Sequence, residues 1–421
     1  MSTDILWRAA MMANASRDPY WQATVKSQIL HVPGLDGVIE DKCSTCHMPM
    51  ARFSTAKEGE EGYIFEEGFN DPDHPHHTLA YEGVSCTLCH QIEENNFGEE
   101  SSFSGHFQID TERSYGSRLA FGPYPFTEKD AQIMAGASGF LPEEASHVHS
   151  SELCAVCHTL YTPYVNEEGE VGGEFPEQVP YLEWKHSDFE GSKQCQDCHM
   201  PPAEGGVVLS TTSTEPRSPF YQHLFIGGNA YVLSIFHNFG EEIGVTASSD
   251  HLKRKIHDTL TQLQTNAATL TIEEIRLDDS ALKIEVSVEN LTGHKFPTGF
   301  PSRRAWIHLV VEDGTGEVVF ESGAYNSEGL ILENENDADP QAYEDHFDLI
   351  NQESQVQIYE AVLEDVQGDL TTVLLYASGY IKDNRLLPKG FDKETAGSDI
   401  QVIGSAVEDE DFQGGGDTVR F

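Results

Sequence analysis

Four copies of one short motif could carry chemistry in this chain: Cys43-Ser44-Thr45-Cys46-His47, Cys86-Thr87-Leu88-Cys89-His90, Cys154-Ala155-Val156-Cys157-His158 and Cys195-Gln196-Asp197-Cys198-His199. Two residues between the thiols let both sulfurs reach the vinyl positions of one porphyrin, and the adjoining imidazole then lies beneath the ring as an iron ligand. The four copies use all eight cysteines, so no thiol is left for a disulfide or a nucleophile. An isolated Cys-x-x-Cys also fits half a zinc site or a redox dithiol, but neither explains a histidine directly after every copy. The sequence therefore implies four haem c groups with His47, His90, His158 and His199 as proximal ligands.

What such haems can do depends on the second axial ligand. Iron with both positions filled by protein only passes electrons, whereas an open position can bind and transform a small molecule. Nineteen histidines, four of them proximal, leave ample candidates. Met48 and Met200 directly follow proximal histidines, on the wrong side of the ring, and read as packing residues. The first choices are His77, His149, His186 and His223, with His106 and His31 next. His77 and His186 lie far enough from their neighbouring motifs to ligate a different haem, and His223 precedes Gly227-Gly228, where backbone could approach a macrocycle. For each, the alternative is an exposed or hydrogen-bonded histidine. His251, His257, His308 and His346 read as the latter, and His294 as part of a turn before Pro297, with contact to a haem as the alternative.

The elements that must hold these residues change character along the chain. Residues 1–248 are loop-rich with short helical stretches, and the gaps of 43, 68 and 41 residues between first cysteines are too uneven for a sequence repeat. Leu252, Ile256, Leu260, Leu263, Ala267 and Leu270 keep a helical period after Ser249-Asp250, which predicts a linker helix over 249–270. From 271 to 421 the period becomes two. Leu282, Ile284, Val286 and Val288 alternate with polar residues, and 305–311, 317–320 and 371–376 read as further strands. Turn signals at Asp279-Ser280, Asp313-Gly316 and Gln367-Asp369 punctuate them. The predicted fold class is a multihaem cytochrome domain of short α-helices followed by an all-β, sandwich-like domain with an acidic surface loop over 332–348.

A formal charge of −46, from 71 acidic and 25 basic residues, excludes nucleic acid or anionic membrane as partners of a basic surface. It predicts a solvated, self-repelling surface, so any self-association must screen charge or bind cations. Hydrophobic content of 38% is low, but haems are large apolar bodies that replace side-chain core. No apolar run is long enough for a membrane span. Haem c is attached outside the cytoplasmic membrane, which predicts a periplasmic or extracellular location. Residues 1–20 lack the pattern of an export signal, so that signal is expected to be missing from this sequence.

The haem part resembles the tetrahaem cytochromes of the cytochrome c554 type and the related multihaem proteins that polymerise into extracellular filaments. The residues that carry this are Asp18-Pro19-Tyr20-Trp21-Gln22, Asp41 to Met50, Glu82-Gly83-Val84-Ser85-Cys86, Cys154 to Tyr161 and His223 to Asn229. Gly293 to Gly299, Ser302-Arg303-Arg304 and Lys382 to Gly390 look like the β domain often fused to such cytochromes. The resemblance implies an electron carrier, not an enzyme. Its partners would be redox proteins or extracellular acceptors, and further copies of the chain if it polymerises, with His31 a candidate for donation to a neighbour's haem. A discrete periplasmic shuttle is the second reading. A reductase of nitrogen or sulfur oxyanions at a five-coordinate haem is the third, against which no Cys-x-x-Cys-Lys motif is present and Arg303-Arg304 lie in the β part.

Overall fold

The computed structural model describes residues 3–166, 169–211, 214–278, 281–332, 336–337, 339 and 341–421. The predicted turn at Asp279-Ser280 and part of the acidic stretch after Leu332 lie outside them. The chain forms two compact units, Met1–Cys157 with Lys193–Leu263, and His158–Ser192 with Gln264–Phe421.

The first unit is built of short helices. Asp18 opens the helix Pro19–His31 by accepting from the Tyr20 and Trp21 amides at 2.9 and 3.4 Å, with Pro19 in the first turn where its missing N–H is harmless. Each cysteine pair lies on a helix, Asp36–His47, Cys86–Cys89, Ser151–His158 or Cys195–His199, and His90 caps the end of the second. This has a mechanical reason, because residues three and four apart share a helix face and so present both thiols and the imidazole on one side. Two strands, β1 (Arg118–Gly122) and β2 (Phe140–Glu144), pair in parallel. Apolar clusters are small, such as Ala9, Val232, Leu233, Phe236 and Leu252.

The second unit contains β3 (Leu160–Val165) paired antiparallel with β4 (Val171–Gln178). It continues through β5 (Ala268–Leu277), β6 (Leu282–Asn290), β7 (Arg304–Trp306), β8 (Leu309–Glu312), β9 (Val318–Ser322), β10 (Ile358–Glu364), β11 (Gly379–Asp383) and β12 (Gly416–Arg420). The sheets are small, in the orders β12-β6-β5, β11-β10-β7 and β8-β9. As the alternation predicts, Ile284, Val286 and Val288 of β6 point into the core, which gathers Tyr359, Leu386, Leu387, Phe391, Phe412 and Val419.

Several boundaries differ from the sequence reading. Residues 158–192 were expected with the haem motifs, yet they fold with the β unit, to which they contribute Val179 in the core and the buried carboxylate of Glu183. The expected linker helix ends at Gln262 and belongs to the first unit, where Leu252 and Ile256 pack on Leu233 and Phe236. A π turn over Leu263–Ala267 then leads into β5, so Leu270 keeps the helical period by coincidence and sits in a strand. Residues 371–376 form no strand: 374–376 make a turn in which the Tyr376 and Ala377 amides donate to Val373, and the buried Leu375 accepts from Val165 through its carbonyl.

Edge strand β5 is unusual. A bulge at Glu273 shifts its parity so that Leu270, Ile272, Ile275 and Leu277 line one face opposite Val288, Val286, Ile284 and Leu282. The β5 half of that apolar face is 50–78% exposed.

Candidate haem sites

The thiols are crowded. Cys154 and Cys195 hydrogen-bond to one another, as do Cys157 and Cys46, so the third motif touches both the first and the fourth. Burial pushes the Cys89 thiol up to about 11, with Cys86 adding to the shift. Backbone is packed just as closely here: Ser104 and Gly105 both take positive φ, the Gly105 amide donates to Val156 at 2.6 Å, and a Cβ at Gly105 would collide with Thr45 and lie 3.6 Å from Cys46 Sγ. This puts His106 beside the first motif.

The imidazoles share a second feature. Nδ1 of His90 donates to the Phe121 carbonyl at 2.6 Å, that of His199 to Ile226 at 2.5 Å and that of His47 to Ala15 at 3.4 Å, where the ring also stacks on Trp21 at 4.4 Å. A backbone acceptor on Nδ1 fixes the tautomer and leaves Nε2 as the metal-binding nitrogen. His77 and His223 show the same arrangement, on the Phe69 carbonyl at 2.8 Å and the Tyr221 carbonyl at 3.1 Å.

His90 and His223 also stand opposite one another, with ring centres 6.2 Å apart and planes 20° from parallel. An imidazole nitrogen lies about 2 Å from a metal it binds and about 1 Å from its own ring centre, so two rings on one metal have centres about 6 Å apart. Burial holds His223 down to about 4, with His90 contributing, so its ring is neutral, the form that binds metal. The loop that presents His223 serves two sites. Its Ile226 carbonyl receives His199, its Leu224 carbonyl receives the buried Lys255 ammonium, and Phe225 between them is held at φ 46°, a strained conformation costing about 1–3 kcal/mol.

The other candidates divide. His149 Nε2 is buried without a hydrogen bond, 3.6 Å from Asp197 of the fourth motif and with its ring 4.2 Å from that of Tyr221. His186 already uses Nε2 to donate to the Asp392 carbonyl at 3.0 Å, so only Nδ1 would remain for a metal. His31, at the exposed end of its helix, donates from Nδ1 to the Ser27 carbonyl at 2.8 Å. His346 is a core residue: Nδ1 accepts from Gln357 at 2.8 Å and Asn384 at 3.1 Å, and Nε2 donates to Asp409 at 3.1 Å. Arg304 forks onto Asp337 of the acidic stretch at 2.7 and 2.9 Å, a structural use of one of the two arginines.

Paired thiols beside tautomer-fixed imidazoles, and an imidazole pair at axial spacing, are a donor set that fits haem c. The fold points the same way. The crystal structure of a penta-heme cytochrome c552 from Thermochromatium tepidum is similar to this chain, with a TM-score of 0.53 and 18% identity over 91% of this chain and 82% of that one. This chain has the fold of a multihaem c-type cytochrome, with four attachment motifs where that protein is named for five haems. No family model matches the chain, and no curated protein matches it. No helix among the described residues is long and apolar enough to cross a membrane.

Proposed function

We propose that this protein carries electrons outside the cytoplasmic membrane through four haem c groups with histidine on both axial sides. The observation that carries this reading is the His90–His223 pair at 6.2 Å, each ring anchored by Nδ1 on a backbone carbonyl. When bound, haem iron supplies a one-electron couple, and two histidine ligands place its potential on the low side relative to histidine–methionine sites. The contacts between motifs favour a crowded row of haems. Within this reading the first unit carries all four pairs of attachment cysteines, and the second is a sandwich-like domain that supplies His158.

Assembly of copies into an extracellular filament is the favoured form, ahead of a discrete periplasmic shuttle. It draws on the uncovered apolar face of β5, since contiguous exposed aliphatic surface on an open sheet edge is suited to association. The charge of −46 opposes that contact at low ionic strength. The expected outcome in negative-stain microscopy of the secreted protein is therefore filaments that lengthen with salt or divalent cations and are lost on Ile275→Asp. Monomers at every concentration and salt would leave the shuttle as the function.

A further inference from the structure

His294 belongs to the β unit, outside all four motifs, and the sequence favours reading it as part of a turn. Its ring is set up differently from a turn residue. Nδ1 donates to the Lys295 carbonyl at 2.9 Å, the anchoring that His47, His77, His90, His199 and His223 also show. The loop around it is rigid: Asn290 Nδ2 and Thr292 Oγ1 both donate to the His294 carbonyl at 2.8 Å, and Gly293 packs so closely on Trp184 and Phe189 that a Cβ there would lie 3.2 Å from each.

That loop is bound to the segment that begins at His158. Glu183 Oε2 accepts from the Lys295 amide at 3.0 Å and from Thr298 Oγ1 at 2.6 Å. Farther along, Arg303 folds back to donate to the Thr298 carbonyl at 2.7 Å, and a Cβ on Gly299 would lie 2.7 Å from Arg303 Nη1 and 3.6 Å from Gln178 Oε1. Gln178 is the cross-strand partner of Leu160, two residues beyond His158. Through Gly299, Arg303 and the end of β4 that pairs two residues beyond His158 are therefore brought together.

We infer that His294 is the distal ligand of the third haem, opposite His158, with Arg303 beside that haem as a charge partner for its propionates. This rests on the proposed bis-histidine reading. His186, the candidate that the sequence offered from this segment, is held differently, because its Nε2 donates to the Asp392 carbonyl whereas His294 is anchored through Nδ1.

The test is electron paramagnetic resonance of oxidised His294→Ala in the full chain, with haem content measured on the same sample. Four haems attached, one of the four high-spin, and a return to low spin on adding imidazole is the expected result. Four haems all low-spin would overturn the assignment, as would a high-spin iron produced by His186→Ala instead. Should His294→Ala fail to accumulate, His294→Met is expected to raise the potential of one haem, and an unchanged set of four potentials would overturn the assignment equally. Fewer than four haems on the unsubstituted protein is a different failure, that of the functional reading itself.

Discussion

His223→Ala is expected to leave all four haems attached and turn one of the four irons from low-spin to high-spin. Attachment depends on Cys86, Cys89 and His90, none of which the substitution touches. What it removes is the imidazole 6.2 Å from His90, at the separation two rings need to share a metal. The backbone that braces His199 through Ile226 and receives Lys255 at Leu224 is left in place, so the change should stay with the second haem. Replacement by methionine should keep that iron six-coordinate while raising its potential, the usual direction from a bis-histidine site. An unchanged spectrum in His223→Ala would mean that the loop's strain at Phe225 serves packing alone.

The second large effect concerns a brace buried inside the β unit. Lys295, Asp383, Arg385 and Glu183 form a buried cluster of two cations and two anions, with Lys295 Nζ to Asp383 Oδ2 and Arg385 Nη2 to Asp383 Oδ2 both at 2.7 Å, and Arg385 Nη1 to Glu183 Oε1 at 3.0 Å. Burial alone would raise the Asp383 carboxyl, but Arg385 and Lys295 bring it down to about 2. Asp383→Ala leaves two buried cations facing one carboxylate and should destabilise the unit by about 3–5 kcal/mol. That corresponds to a fall of roughly 6–20 °C in its melting temperature. Because the folded pKa is depressed, the carboxylate's contribution is complete above its unfolded pKa near 4 and is lost as pH falls towards 2. The melting-temperature gap between variant and parent should therefore narrow in acid. A gap that stays constant from pH 7 to pH 3 would contradict the ionic account.

Much of the haem chemistry is legible in the sequence because Cys-x-x-Cys-His is local: a short helix brings thiols and imidazole to one face whatever surrounds it. The distal side is not local. His223 can be nominated from its position before Gly227-Gly228, but its pairing with His90 needs carbonyls from Phe121 and Tyr221 that no spacing announces. His186 and His294 show the reverse problem. The histidine with the better position relative to a motif has its Nε2 engaged by Asp392, and the one in a turn has its Nδ1 anchored.

In the fold, alternation located β6, since one face of that strand is buried, whereas residues 371–376 have strand-like composition but bury single side chains between turns. The placement of His158–Ser192 in the β unit draws on Glu183, which accepts from the Lys295 amide 112 residues away and pairs with the buried Arg385, contacts that hydrophobic pattern cannot register.

The most direct test is electron paramagnetic resonance of the oxidised, unsubstituted protein with its covalent haem counted by mass. Four haems per chain and low-spin iron throughout is the predicted result. Fewer than four haems, or high-spin iron at one haem per chain, would contradict a carrier built wholly of bis-histidine sites.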